Sequence, residues 1–280
     1  MLRIERNYIK ALLRPRPAAS HKGDYGRLLV VAGSHGMAGA AALCARGAFR
    51  GGAGLVKVAT EPQLFLAVHA AVPEATCLDE SLLRNAPDRV LAGVSAAAAG
   101  PGLGVTTEAK EIVEVLLTRF EGTLILDADA LNVAARDASA LKEARASVII
   151  TPHTGEAARL LGVSTKEVDG DRAGAAADLA RLTGATVALK GNGTLVARGG
   201  DVYLNATGNP GMATGGSGDV LTGVIAAFAG QGMGTLDAAM AGVHVHGLAG
   251  DIAAERVGEY GLMASDIAEA VAAAIKAVMS

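Results

Sequence analysis

Short runs of apolar, largely β-branched residues alternate with longer alanine-rich stretches along most of the chain. The runs are apolar throughout, which is typical of strands buried on both faces of a parallel sheet. They predict strands at Leu28–Ala32, Leu55–Ala59, Thr123–Leu126, Val148–Ile150 and Thr186–Leu189, with a weaker strand near Ser95–Gly100. The alanine-rich stretches predict helices at about 38–50, 106–120, 155–162 and 171–183. This alternation indicates an α/β layered fold.

The rhythm changes after residue 190. Thr194–Ala197 and Val202–Asn205 flank the turn sequence Arg198-Gly199-Gly200-Asp201, which predicts an antiparallel hairpin appended to the parallel sheet. Three alanine-rich stretches then predict helices at about 218–230, 236–256 and 264–279. No internal repeat, linker or break in composition divides the sequence, so we expect a single domain over residues 1–280.

Composition excludes several classes of protein. Hydrophobic residues make up 51% of the sequence but aromatic residues only 3%, so the core must be built from Ala, Val, Leu and Ile. The net charge is −3 and Lys and Arg do not cluster, which argues against a nucleic-acid partner. No apolar run reaches the ~18 residues of a membrane helix, and the N-terminus has no signal-peptide core. We therefore expect a cytoplasmic protein without a membrane partner.

Glycines and polar residues follow each predicted strand. Since ligands bind at the carboxyl ends of the strands in open α/β sheets, these segments predict a binding site along one edge. Turn chemistry alone would explain any one of them, and their spacing does not name the ligand. The segments are Gly33–Ala40, Gly100–Gly104, Asp127–Asn132, Thr151–Glu156 and Lys190–Thr194.

Familiar signatures are missing from this edge. The chain has no GxxxxGK[ST], and Val105 stands where Gly100-Pro101-Gly102-Leu103-Gly104 would need its last glycine to complete a dinucleotide fingerprint. His244 and His246 lie two residues apart on a predicted helix and so face different sides. We interpret both as packing or surface residues, and a zinc site is not supported.

One stretch, TGGSGDVLTG at Thr214–Gly223, places a single carboxylate among glycines where a helix is predicted to begin. Asp219 could simply cap that helix. However, a cap needs only one residue, and the approach from Asn209 contains many more glycines and prolines than a cap requires. Consecutive small residues before a helix let several N–H groups converge on an anion. An anion hole with a base beside it suits phosphoryl transfer.

The ordered set of motifs supports a more specific interpretation. Gly216-Ser217-Gly218-Asp219 resembles the GxGD anion hole of the ribokinase-like superfamily. Together with KGDYGRLLVVAGS, GPGLG, LDADALN, TPHTGE, KGNGT and NPGMATGGSGDVLTG, it resembles the ADP-dependent NAD(P)H-hydrate dehydratase family from about Lys22 to the C-terminus. The resemblance implies a three-layer α/β/α ribokinase-like fold. Family members often carry an N-terminal epimerase domain, which we do not expect here because only about 20 residues precede the match.

The resemblance also implies an activity: dehydration of the S-epimer of hydrated NADH or NADPH, with ADP, or else ATP, as co-substrate and Mg²⁺ as the metal. Asp219 would take the proton of the ring hydroxyl, while the N–H groups of Gly216, Ser217 and Gly218 stabilise the transferring phosphoryl group. Nucleotide binding is assigned to Lys190, Gly191, Asn192, Gly193, Thr194 and Gly218. Substrate binding is assigned to Ala40, Gly102, Gly104, His153 and Asp219. Glu156 stands where related kinases place an acid near Mg²⁺ and its waters, but it equally suits the first turn of a helix.

Two other functions remain open at this stage. A kinase of the same superfamily, such as hydroxyethylthiazole kinase, would use the same GxGD site and stop after phosphoryl transfer. A non-enzymatic nucleotide-binding regulator is the second, and the intact Asp219 argues against it because binding alone needs no base. The superfamily and the small-residue helical faces favour a homo-oligomer, with a tetramer as the candidate assembly. The other expected partners are small molecules.

Overall fold

A ten-stranded sheet forms the centre of the computed structural model, which describes residues 1–280. In space the strands follow the order β1-β10-β9-β8-β7-β6-β5-β2-β3-β4. Neighbours are parallel except where β9 pairs with β8 and β10. The strands are β1 (Leu2–Arg3), β2 (Arg27–Val31), β3 (Leu55–Thr60), β4 (Thr76–Asp79), β5 (Ala96–Ala99), β6 (Thr123–Leu126), β7 (Ser147–Ile150), β8 (Thr186–Leu189), β9 (Leu195–Arg198) and β10 (Asp201–Leu204).

Helices cover both faces of this sheet. They are α1 (Arg6–Leu12), α2 (Ala38–Arg50), α3 (Phe65–Ala71), α4 (Ser81–Asn85), α5 (Pro87–Leu91), α6 (Thr107–Arg119), α7 (Ala128–Ala134), α8 (Thr154–Leu161), α9 (Thr165–Gly170), α10 (Arg172–Thr183), α11 (Ser217–Gly230), α12 (Thr235–Val257) and α13 (Ala264–Met279). None of them combines the length and the apolar character needed to cross a membrane.

The layering follows from the alternation of side chains along each strand. In β2, Leu28 and Val30 point into one core, which α2, α11, α12 and α13 close. Leu29 and Val31 point into a second core, built with α6, α7, α8 and α10. Both sets are buried, so the strand is apolar throughout, as expected for the centre of a three-layer fold.

Two glycines let α2 and α11 approach closely. A Cβ added at Gly47 in α2 would lie 2.5 Å from the carbonyl oxygen of Val220, and one at Gly223 in α11 would lie 2.8 Å from the amide nitrogen of Ala48. Neither position could hold even an alanine without moving a backbone. This contact matters for the site because α11 carries Asp219 in its first turn.

The predicted α/β architecture, mostly parallel with an antiparallel pair, is confirmed. The hairpin forms around Gly199 and Gly200 one residue away from the predicted bounds, with Arg198 opposite Asp201. Two strands were not predicted. The edge strand β4 is half-buried and only four residues long, and β1 contains two exposed residues that pair with β10. Neither carries the apolar run that identifies the central strands.

Candidate functional site

Neighbouring loops at the carboxyl ends of the strands are tied together by backbone hydrogen bonds. Gly33 N–H donates to the carbonyl of Pro101 at 2.8 Å, and Lys190 N–H donates to the carbonyl of Pro152 at 2.8 Å. The sheet order therefore brings the five polar segments of the sequence to one edge, as the topology of an open α/β sheet requires.

Asp219 lies in the first turn of α11, which begins at the glycine-rich stretch. Gly216 precedes the helix with a φ of +89°, a conformation that favours glycine, and a Cβ there would also collide with Leu43. No side chain caps the helix. The amide groups of its first turn that lack a carbonyl partner can therefore donate to an anion, at the positive end of the helix dipole.

A buried ion pair lies directly beside this turn. Lys190 Nζ is 2.5 Å from Asp127 Oδ1, and the second oxygen of Asp127 accepts a hydrogen bond of 2.8 Å from Thr222 Oγ1. Burial alone would lower the pKa of Lys190, but the nearby carboxylates of Asp127 and Glu156 outweigh it and the pKa is raised. Lys190 therefore keeps its positive charge beside Gly218, where a Cβ would lie 3.4 Å from Nζ.

The environment of Asp219 holds its carboxyl ready for proton transfer. Burial is the main cause that raises its pKa to about 7, and the negative charge of Asp127 adds to the shift while Lys190 opposes it. A general base works best when its pKa lies near the working pH. The side chain makes no hydrogen bond within the chain, so, unlike Asp127, its oxygens are not committed to a structural role.

A cavity of about 720 Å³ opens next to this turn, between the β9–β10 hairpin and α12. We call it the large cavity. Its wall includes all five residues of the Lys190–Thr194 loop, together with Ser217, Gly218 and His153. The segment 204–210 and the α12 residues Val243, His246 and Gly247 also line it. The structure thus gathers the residues assigned to nucleotide binding around one cavity.

The residues assigned to the dinucleotide fall into two groups. Ala40 and Gly102 adjoin each other, since a Cβ at Gly102 would lie 3.0 Å from that of Ala40. Gly104 N–H donates to Asp129 Oδ2 at 2.8 Å, and the charge of Asp129 contributes to the raised pKa of Asp219. None of the three glycine or alanine positions lines the large cavity, whereas His153 does. Their assignment to substrate binding stays a prediction.

The residue between Asp127 and Asp129 has an unusual backbone conformation. Ala128 is the chain's one non-glycine residue with a positive φ, at +49°. Such a conformation persists only when its surroundings enforce it, and it often accompanies functional sites. Here it lies between Asp127, which pairs with Lys190, and Asp129, which accepts a hydrogen bond from Gly104.

Glu156 acts in the structure as a first-turn acid of α8. It is buried, and its Oε2 accepts the N–H of His153 at 2.8 Å, which completes a capping box. The same oxygen is 3.8 Å from Lys190 Nζ. No three His, Cys, Asp or Glu side chains are grouped to hold a metal ion. A single carboxylate such as that of Glu156 is compatible with Mg²⁺, which commonly takes only one or two carboxylates alongside phosphate oxygens and waters.

Sequence reasoning missed two residues at the site. His246 is buried, lines the large cavity, and has its Nε2 3.5 Å from Ser217 Oγ. Burial lowers its pKa to about 4, so the ring is neutral at ordinary pH. Arg172, at the start of α10, donates hydrogen bonds to the Lys190–Thr194 loop. No local motif marks either residue, because their partners lie 18 to 29 positions away in the sequence.

A family profile described as NAD(P)H-hydrate dehydratase matches residues 28–273. The chain belongs to this family. It is 43% identical over 270 residues to the bifunctional NAD(P)H-hydrate repair enzyme Nnr of Moorella thermoacetica, a match that covers 93% of the chain and 51% of that relative. It is 40% identical to the ADP-dependent (S)-NAD(P)H-hydrate dehydratase of Neisseria meningitidis serogroup B, over 92% of the chain and 88% of the relative.

The fold agrees with solved structures of this family. The ADP/ATP-dependent NAD(P)H-hydrate dehydratase of Bacillus subtilis, co-crystallised with ATP and Mg²⁺, superposes with a TM-score of 0.90 at 33% identity, covering 99% of the chain and 98% of that protein. The expected ribokinase-like fold is thereby confirmed. Hydroxyethylthiazole kinase from Pyrococcus horikoshii reaches a TM-score of 0.63 at 14% identity, which is a likeness of fold alone.

Family membership supports the dehydratase interpretation over the kinase alternative. The chain spans about half the length of the bifunctional relatives that it matches.

Proposed function

We propose that the chain catalyses the ADP-dependent dehydration of the S-epimer of hydrated NADH and NADPH, which restores NAD(P)H and releases AMP and phosphate. The observation that carries the proposal is the Asp219 carboxyl. It stands uncommitted at the N-terminus of α11, with a pKa of about 7, next to Gly218 and Lys190, which line the large cavity. Binding alone would need no such base.

In the proposed reaction, Asp219 takes the proton of the ring hydroxyl as the hydroxyl oxygen attacks the terminal phosphorus of ADP. The bond to the bridging oxygen breaks and AMP leaves. The phosphate ester then loses phosphate, driven by the ring nitrogen, while the neighbouring carbon gives up a proton and the reduced nicotinamide is restored. A hydroxyl alone is a poor leaving group, which is why phosphorylation must come first.

The proposed roles of the other residues follow from their positions. The amide groups of Gly216, Ser217 and Gly218 are proposed to stabilise the transferring phosphoryl group, although that of Ser217 also donates to the carbonyl of Thr214 at 3.3 Å. The Lys190–Thr194 loop is proposed to bind the nucleotide. The positive charge of Lys190 lies close to the first turn of α11. Ala40, Gly102, Gly104 and His153 are proposed to contact the hydrated dinucleotide.

We propose Mg²⁺ as the metal of the reaction, held by the nucleotide phosphates with Glu156 acting through water. When bound, the ion would neutralise charge that develops on the phosphate oxygens. Both Asp127 oxygens are taken by Lys190 and Thr222, so Asp127 is a structural residue and not a ligand in this proposal.

The direct test is incubation with hydrated NADH and either ADP or ATP, followed through the return of the absorbance of the reduced nicotinamide. Recovery that requires nucleotide is expected, and its absence with both nucleotides would overturn the proposal. The same assay with hydrated NADPH measures the preference between the two dinucleotides.

We also propose a homo-oligomer, with a tetramer as the candidate, which sedimentation of the purified protein checks.

A further inference from the structure

The side chain of Arg172 donates hydrogen bonds to backbone carbonyls at the end of β8 and in the loop that follows it. Its Nη1 donates to the carbonyls of Asn192 at 2.5 Å and Gly193 at 3.2 Å, and its Nη2 donates to those of Leu189 and Lys190, both at 3.3 Å. The side chain is half-buried and forms no ion pair. Four carbonyls therefore share the one guanidinium, and the charge strengthens each hydrogen bond.

The amide groups of the same loop are free. Backbone hydrogen bonds use the N–H of Lys190 and the carbonyl of Thr194, but the N–H groups of residues 191–194 have no partner within the chain. Because the N–H and C=O of a peptide unit point in opposite directions, holding the carbonyls of Lys190, Asn192 and Gly193 towards α10 turns the N–H groups of residues 191, 193 and 194 away from it. The loop lines the large cavity, so this arrangement presents donors to a ligand there.

Gly191 shows how closely the guanidinium and the loop fit. Its φ is +148°, and a Cβ at this position would lie 2.7 Å from Arg172 Nη2. Any larger residue would displace the guanidinium. Gly191 thus suits the close approach of the guanidinium as well as the turn itself.

We propose that Arg172 is a positioning residue that holds the Lys190–Thr194 loop with its amide groups towards the large cavity, where they bind the phosphate-bearing end of an adenine nucleotide. The inference rests on the proposed nucleotide site. Arg172 does not touch the reacting atoms in this role. It acts through the loop, so its loss weakens nucleotide binding without removing the base or the anion hole.

The test compares Arg172→Met and Arg172→Lys with the wild-type chain. Arg172→Met keeps much of the apolar stem and removes the donors, and we expect the Kd for ADP, measured by calorimetry, to rise about tenfold to hundredfold. Arg172→Lys keeps the charge but loses the fork, so an intermediate rise is expected. In turnover, the KM for ADP should rise similarly, while kcat and the KM for hydrated NADH change less than about threefold.

Arg198→Met is the matched control. Arg198 also donates to a neighbouring strand, through Thr186 Oγ1 at 2.8 Å, but it contacts no residue of the loop. Melting temperatures of all variants report the loss of folding stability. An equal rise in the Kd for ADP in Arg198→Met, or an unchanged Kd in Arg172→Met, would overturn the inference, as would a wild-type chain that binds neither ADP nor ATP. If the wild type binds ADP but restores no NADH, the proposed reaction fails and the binding comparison still decides the role of Arg172.

Discussion

The chemistry of Asp219 depends on the charged groups that surround it. Asp127 pairs directly with Lys190, at 2.5 Å. The positive charge of Lys190 therefore offsets only part of the rise in the pKa of Asp219. Burial then raises the pKa of Asp219 to about 7. Two neighbouring aspartates thus have different roles, one as the partner of a buried cation and the other as a candidate base.

Replacing Asp219 by asparagine removes the base and keeps the size of the side chain. We expect Asp219→Asn to retain ADP binding and to lower kcat by roughly 10²–10⁴-fold, the usual contribution of a positioned general base. Calorimetry and the absorbance assay measure the two effects separately. Near-normal turnover in this variant would exclude Asp219 as the general base.

The raised pKa of Asp219 also makes a prediction about stability. Between about pH 4 and pH 7 the folded chain holds a proton on Asp219 that the unfolded chain has released, so this group stabilises the folded state less as the pH rises. Above pH 7 the folded state carries a desolvated charge. Asp219→Asn lacks this cost. We therefore expect the free energy of unfolding of Asp219→Asn to equal that of the wild type at about pH 4 and to exceed it by ~1–3 kcal/mol at about pH 8.

Denaturant unfolding at several pH values measures this difference, and the other titrating groups cancel between the two proteins. Asp201→Asn, the same substitution at an exposed position in the hairpin, is the control. An advantage for Asp219→Asn that shrinks as the pH rises would contradict the assignment.

At the scale of elements, the position of Asp219 depends on how closely α11 packs on α2. Gly47 faces the Val220 carbonyl, one residue beyond Asp219, so the contact also fixes the first turn of α11. Gly39 lies on the same helix with nothing near its missing Cβ. The two glycines of α2 therefore differ: Gly47 has no room for a side chain, whereas Gly39 has open space where a Cβ would lie.

We expect Gly47→Ala to destabilise the fold by about 1–3 kcal/mol, because the added methyl must displace backbone atoms of α11. Gly39→Ala should be neutral or stabilise by up to ~1 kcal/mol, since alanine favours a helix and meets no atom there. Chemical denaturation of both variants checks the pair. Equal effects would show that helix propensity, and not the close contact, dominates at Gly47.

The elements that sequence patterns predict well are those whose burial is complete. The central strands β2, β5 to β8 and the long helices bury continuous apolar residues, and their predicted bounds agree with the structure within one or two residues. The edge strand β4 lacks that signal because none of its residues is fully buried and its outer edge is unpaired. At the site, GxGD was recognisable because its function needs adjacent residues, whereas the Lys190–Asp127 pair joins residues 63 positions apart.

At the scale of the whole molecule, the site is an assembly of distant segments. Asp127 follows β6, Lys190 follows β8, and Thr222 and Asp219 come from α11, yet three of these side chains form one buried network. The large cavity lies on one side of this network, and the Gly104–Asp129 contact lies on another. Such an arrangement can hold a nucleotide and a second substrate on two sides of one carboxylate.

Both a dehydratase and a simple kinase could use this arrangement, and they differ in the fate of the phosphate ester. In the hydrated nicotinamide, the carbon that bears the hydroxyl adjoins a ring nitrogen that can supply electrons and expel phosphate. A simple alcohol has no such nitrogen, so its ester persists. We therefore expect free phosphate, AMP and reduced nicotinamide to form in equal amounts from hydrated NADH and ADP. Phosphate and nucleotide assays on the same sample, beside the absorbance change, measure this ratio.

The choice of alcohol gives the matching control for that measurement. Small thiazole or pyrimidine alcohols should be turned over poorly, because they lack the dinucleotide contacts whose binding energy orients the hydroxyl towards Asp219. Asp219→Asn should slow the formation of all three products by the same factor, since one proton transfer precedes them all. A stable phosphorylated product without free phosphate would instead identify a kinase, and it would leave the base, the anion hole and the nucleotide loop with the same roles in a shorter reaction.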